Sequence, residues 1–180
     1  MYKLIACDLD ETLLNSENKV SQKNIEAIKK ADAQGVKFVL ATGRGYATVQ
    51  GTLEEIGLKD KKDEYVISFN GGAVTENKDN QLLHFQGISF DFASELYKRG
   101  QDYDVAIHVY TQEEVYVYNL VEKERKHLKT KMDVIEITDK NLDFLKGQPI
   151  AKVLYMNTDR EYLNQIEEDL KDITQNSNVT

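Results

Sequence analysis

Apolar and polar positions in the first third of the chain switch repeatedly between a strand pattern and a helical one. The apolar run from Leu4 to Leu9 predicts a strand buried on both faces of a parallel sheet. Ser21 is placed as an N-cap, with Val20 and Ile25 as a hydrophobic staple around it. Ile25, Ile28 and Ala31 then mark one helical face, and Gly35 is positioned to end the helix. Val36 to Ala41 predicts a second buried strand. Tyr46, Val49, Leu53 and Ile56 form a second helical stripe closed by Gly57, and Tyr65 to Phe69 predicts a third strand. The order β-α-β-α-β predicts an α/β fold, part of a doubly wound, Rossmann-like parallel sheet with right-handed crossovers.

The pattern changes after about Asn70. Gly71 to Thr75 and Gln81 to Phe85 predict a hairpin around the polar turn Glu76 to Asn80. An amphipathic helix near Phe92 to Gln101 follows, then tyrosine-rich strands at Val105 to Tyr110 and Val115 to Asn119. A charged helix near Glu122 to Lys131, strands at Val134 to Ile137 and Ile150 to Met156, and a helix from Arg160 to Leu170 complete the pattern. Strands and helices no longer alternate regularly, so residues 83–180 are expected to form a separate α+β domain beside residues 1–82. The polar tail Thr174 to Thr180 is expected to fray.

Composition narrows the function classes. With 23 basic and 31 acidic side chains the formal net charge is −8, which argues against non-specific nucleic-acid binding. Hydrophobic residues make up 41% and charged residues 30%, a globular balance. No apolar run approaches the roughly 18 residues of a membrane-spanning helix, and the N-terminus carries no small-residue cleavage site. The single cysteine, Cys7, excludes an intramolecular disulfide framework and a cysteine-based zinc cluster. A cytoplasmic protein without nucleic-acid or membrane partners is the expectation.

The chemistry concentrates in Asp8-Leu9-Asp10-Glu11-Thr12-Leu13-Leu14, two carboxylates at the end of the first predicted strand. Burying carboxylates costs several kcal/mol unless they are paired or metal-bound, and ligands bind at this end of a parallel sheet. One carboxylate can attack phosphorus while Mg²⁺ screens the repulsion between the two anions. The other can protonate the leaving oxygen and then activate water. Acids also commonly terminate strands without any such role. Val39-Leu40-Ala41-Thr42-Gly43-Arg44 weighs against that bland reading, because a hydroxyl and backbone N–H groups at a strand-to-helix junction make an anion cradle. Gly43 lets the backbone approach a phosphate closely.

These motifs resemble the haloacid dehalogenase-like superfamily of phosphohydrolases, in its Cof-type, sugar-phosphatase-like branch. Asp8 to Leu14 is similar to that family's first motif and Leu40 to Arg44 to its second. Phe69-Asn70-Gly71-Gly72 resembles the branch's Asn-Gly turn before a cap domain, and Pro149 to Val153 resembles a cap strand. The resemblance implies a family core with an α+β cap. It implies that Asp8 is nucleophile and Mg²⁺ ligand, and that Asp10 is general acid/base and offers the metal its backbone carbonyl. Leu9 would give a backbone N–H to the phosphate, and Thr42 with Gly43 would hold phosphate oxygens. Arg44 would orient the loop or meet the substrate, and Asn70 would form the turn or make a polar contact at the cap boundary. The implied activity is hydrolysis of a small phosphorylated metabolite through an aspartyl phosphate.

Two departures from the family pattern stand out. Glu11 occupies a position where glycine is most usual. The family's third motif, a lysine, and its fourth, an acidic loop completing the metal site, have no match after Pro149. The chain is therefore expected to stop inside the cap, leaving the first strand with an unpaired edge prone to self-association. A catalytically silent fragment, or a half-protein needing a complementary segment, is the alternative reading. Among lesser candidates, Glu122 to Lys129 reads as a solvated helix face, and Tyr110, Tyr116 and Tyr118 as sheet packing. His84, His108 and His127 carry no metal spacing, and Cys7 reads as a small core residue.

Overall fold

The computed structural model describes residues 2–129, 132–175 and 177, apart from the side chain of His127. They divide into two compact units, Met1–Gly87 and Ile88–Thr180.

The first unit runs β1 (Leu4–Asp8), α1 (Gln22–Asp32), β2 (Lys37–Ala41), α2 (Gln50–Ile56), β3 (Tyr65–Ser68), β4 (Ala73–Glu76) and β5 (Gln81–Phe85). Its five-stranded sheet has the order β1-β2-β3-β4-β5. The first three strands are parallel and the β4–β5 hairpin is antiparallel. The division expected between residues 82 and 83 falls inside β5. Ladder hydrogen bonds from β4 to both β3 and β5 keep the hairpin in the first sheet, so the units part at Gly87 instead.

Local signals act as the sequence predicts at the helix ends. The Ser21 hydroxyl accepts the Asn24 N–H at 3.3 Å to cap α1. Gly57 ends α2 in the left-handed region at φ 77°, where a side chain would be strained. The stripe from Tyr46 to Ile56 is split into a tight turn over Tyr46–Val49 followed by α2. Ile25 and Ile28 of α1 and Leu53 and Ile56 of α2 share one core with Phe38, Leu40 and Val66. The sheet grows in a single direction from β1 to β3, so right-handed crossovers put both helices on the same face.

The largest departure concerns β1. Expected to be buried on both faces, it lies at the sheet edge and, among the described residues, pairs with β2 alone. Leu4 and Ile5 are 54% and 41% exposed. An apolar composition specifies a strand, whereas burial depends on what covers it. Beyond Asp8 the chain makes a wide turn over Leu9–Leu13, closed by the Leu14 N–H donating to the Leu9 carbonyl at 3.0 Å. Leu9 and Leu13 anchor this turn in the core, and Glu11 adopts a left-handed φ of 58°. That geometry explains why glycine suits the position.

The second unit contains α3 (Phe90–Gly100), β6 (Ala106–Thr111), β7 (Val115–Tyr118), α4 (Glu122–Leu128), β8 (Ile135–Ile137), β9 (Ile150–Met156), α5 (Arg160–Asp169) and α6 (Lys171–Thr174). Its four-stranded sheet has the order β8-β7-β6-β9, with only β7 and β8 parallel. Ala93 and Tyr97 of α3 and Ile166 of α5 pack with Ile107, Val109 and Ile150 in one core. Of the predicted charged helix, residues 130 and 131 lie outside the described residues, as do residues 176 and 178–180 of the polar tail. Thr174 is the last residue of α6. Among the described residues no helix is long and apolar enough to cross a membrane.

Three stability measurements check this architecture. Leu40→Ala, at a fully buried β2 position, is expected to lower the unfolding free energy of this chain by about 2–5 kcal/mol. Leu4→Ala on the exposed edge should cost no more than about 0.5 kcal/mol; similar losses would refute the edge placement of β1. Glu11→Gly should stabilise the chain by up to about 1 kcal/mol in urea titrations. Relief of about 1–2 kcal/mol of left-handed strain is partly offset there by the entropy of glycine in the unfolded chain.

Candidate active site

Strand register brings the two motifs together. Asp8, the last residue of β1, is the pairing partner of Ala41, the last of β2, and Ala41 in turn pairs with Ile67 of β3. The wide turn after Asp8 and the loop beginning at Thr42 therefore leave the same end of the sheet from adjacent strands.

Asp8 is exposed, Leu9 is fully buried by its side chain, and Asp10 is half-buried. The Thr12 hydroxyl donates to Asp8 Oδ2 at 2.9 Å, across the wide turn. This orients one carboxylate oxygen, and sequence reasoning assigned no role to Thr12. The i, i+4 separation is the only trace of it in the sequence. Cys7 donates its S–H to the Asp8 carbonyl at 3.2 Å. Burial, with the Asp8 charge adding to it, pushes the Cys7 thiol above its ordinary pKa, in keeping with an unreactive thiol.

Thr42 is 5% exposed and held on three sides. Its N–H donates to the Ile67 carbonyl at 2.9 Å and its carbonyl accepts the Asn70 N–H at 3.1 Å. Its hydroxyl oxygen accepts the Arg44 N–H at 3.1 Å, so one of the amides expected in an anion cradle turns into the loop. Among the described residues no acceptor takes the Thr42 hydroxyl hydrogen, which is left to donate. Gly43 lies between these two residues.

The Arg44 side chain joins the two motifs directly. Its Nε donates to Asp10 Oδ2 at 2.8 Å and its Nη2 to Oδ1, a bidentate ion pair. The guanidinium is nearly covered, with a side chain 11% exposed against 39% for Asp10. A planar fork of this kind matches a carboxylate and would equally match a phosphate. Its contact with Asp10 ties the loop after β2 to the turn after β1.

Asn70 is exposed, and its backbone N–H donates to the Thr42 carbonyl of the loop at 3.1 Å. Its φ of 56° and the φ of 97° at Gly71 explain the Asn-Gly pair as turn chemistry. Phe69, read as the end of the third strand, instead leaves it at φ 51°.

The lesser candidates take structural places. Tyr110 and Tyr116 are buried, Tyr116 edge-on to Phe144 with centroids 5.3 Å apart. Burial, with the nearby Glu124 charge, pushes the Tyr110 hydroxyl up to about 12. His108 is also buried and meets Glu124 at 2.7 Å, so one acid of the solvated-looking helix is in fact directed inward. Arg125 pairs with Glu122 and Glu136 on the outside.

The geometry can be set beside known proteins. The chain is 31% identical over 170 residues to the phosphatase YwpJ of Bacillus subtilis, covering 92% of this chain and 55% of that protein. It is 36% identical over 119 residues to the putative phosphatase YxeH of the same organism, covering 66% of this chain and 44% of the relative. The chain thus spans about half the length of these curated relatives. A haloacid dehalogenase-like hydrolase from Bacteroides thetaiotaomicron superposes with a TM-score of 0.81 at 27% identity, over 98% of this chain and 65% of that one. The model of the haloacid dehalogenase-like hydrolase family matches residues 5–180 of the sequence, both motifs included, and the chain belongs to that family.

Proposed function

We propose that the first unit, Met1–Gly87, carries the nucleophile-bearing part of a Mg²⁺-dependent phosphomonoester hydrolase, with the second unit, Ile88–Thr180, as its cap. The substrate class is a small phosphorylated metabolite such as a sugar phosphate, in a cytoplasmic setting without nucleic-acid or membrane partners. The observation that carries the reading is the level exit of Asp8 and Thr42 from paired strands, with Arg44 reaching across to Asp10.

The residues suit a hard cation. Asp8 offers a carboxylate and Asp10 a backbone carbonyl, both oxygen donors. Among the described residues no group of three or more His, Cys, Asp and Glu side chains could hold a metal. One carboxylate supplemented by water and substrate phosphate is a usual environment for Mg²⁺. When bound there, Mg²⁺ supplies charge neutralisation between carboxylate and phosphate.

An Asp8 oxygen attacks phosphorus, the bond from phosphorus to the leaving oxygen breaks, and Asp10 delivers a proton to that oxygen. A water then attacks the aspartyl phosphate, giving its proton back to Asp10 and releasing inorganic phosphate and the Asp8 carboxylate. The Thr42 hydroxyl and the loop at Leu9 and Gly43 bind phosphate oxygens. Asp10 begins ion-paired, so it must part from Arg44 before it can act as an acid. A phosphate dianion in the cradle supplies the competing partner for the guanidinium. Asn70 forms the turn beside the loop.

The exposed β1 edge favours a second reading, in which this chain works only with a strand supplied by another copy or by a complementary segment. Turnover of p-nitrophenyl phosphate by the purified chain with Mg²⁺ separates the two. Robust hydrolysis whose specific activity does not change with chain concentration rejects the need for a partner strand. Borohydride quenching during turnover should convert Asp8 to homoserine, detected by peptide mass. Asp8→Asn should abolish both signals, and unchanged turnover in that variant would end the nucleophile assignment. Asp10→Asn should reduce hydrolysis of alkyl phosphates more than that of aryl phosphates, since poor leaving groups need the proton most. Equal losses would remove Asp10 from the acid role.

A further inference from the structure

Three successive residues after β3 adopt left-handed backbone, with φ of 51° at Phe69, 56° at Asn70 and 97° at Gly71. Asparagine and glycine accept this readily, but for a phenylalanine it costs about 1–2 kcal/mol. Such strain persists only where the surroundings over-determine it.

The surroundings do so through the ring. Phe69 is 6% exposed and lies edge-on to Tyr46, with centroids 6.1 Å apart and planes at 76°. Its Cε1 and Cζ stand 3.0 Å from where a Cβ on residue 45 would be, so the ring fills the space that Gly45 leaves open. The backbone of the same turn reaches the other side of the loop. Phe69 N–H donates to the Arg44 carbonyl at 3.0 Å, and Asn70 N–H donates to the Thr42 carbonyl at 3.1 Å. These carbonyls flank Gly43. In an extended strand successive N–H groups point in opposite directions, whereas in a left-handed turn they converge. Both clamps therefore require the strained conformation.

We infer that Phe69 is a positioning residue for phosphate: its ring, seated on Gly45 and Tyr46, holds the turn whose two amides fix the Thr42-Gly43-Arg44 loop. This rests on the reading that the loop binds phosphate. Phe69 itself touches no substrate in this account.

The test uses the 180-residue chain and orthovanadate with Mg²⁺, titrated calorimetrically, with the ¹H–¹⁵N resonance of Gly43 followed in the free protein. Phe69→Ala and Gly45→Ala should each weaken vanadate binding about tenfold, equivalent to about 1.4 kcal/mol, and shift the Gly43 resonance. The double variant should lose less than the two single losses combined, because the new methyl at 45 occupies space that the ring has vacated. Leu53→Ala, a core change remote from the turn, should leave the affinity within about twofold. If Phe69→Ala fails to fold, Gly45→Ala decides alone. Unchanged affinity and an unmoved Gly43 resonance in the folded variants would overturn the inference while leaving the phosphate site standing. An equal loss in Leu53→Ala would also overturn it, by reducing the effect to general loosening. A wild-type chain that binds no vanadate removes the functional reading, and the role of Phe69 with it.

Discussion

The parallel pairing of β1 with β2 is the constraint on which the rest of the first unit depends. It sets Asp8 opposite Ala41, and the β2–β3 register sets Ala41 opposite Ile67. Side chains alternate along a strand, so a slip of one residue in either pair would turn a whole strand over. The Asp8 carboxylate and the Thr42 hydroxyl would then leave the sheet on mismatched sides. The helical core beneath the sheet, with Phe38 and Leu40 facing α1 and α2, makes that slip costly and so holds the chemistry in place.

Around this register the polar groups are arranged as a chain of mutual supports. Thr12 steadies Asp8, Arg44 holds Asp10, Thr42 holds the Arg44 amide, and the turn at Phe69 and Asn70 holds the carbonyls of Arg44 and Thr42. Acid and guanidinium come from the segments that follow two adjacent strands, thirty-four positions apart in sequence. Their pairing neutralises two charges that would otherwise be costly at a partly buried site.

The second unit is two-sided. One face of its sheet packs Ile107 and Val109 against α3 and α5. The neighbouring strand positions carry His108 against Glu124 and Tyr110 beneath the Lys152 ammonium, 4.6 Å from the ring centroid. Burial lowers the Lys152 pKa, and the same burial raises that of Tyr110. A polar side so arranged follows from the period-two alternation of β6 and needs only the contact from α4 to become largely covered.

Much of this was legible in the residues. Apolar periodicity located the strands and helices, and Ser21 and Gly57 acted at the ends they were expected to mark, because capping depends on neighbours a few positions away. The Asp8 and Thr42 motifs were visible for the same reason, as short-range patterns at predicted strand ends. The exposed edge of β1, the attachment of the β4–β5 hairpin to the first sheet, the Arg44–Asp10 pair and the left-handed Phe69 were decided only in three dimensions. Each depends on a partner far away in sequence: which strand lies alongside, which charge comes within reach, and which ring fills the space over Gly45. Local sequence specifies what a segment can become, and long-range packing and hydrogen bonding select among those states because their free energies exist only once distant residues meet.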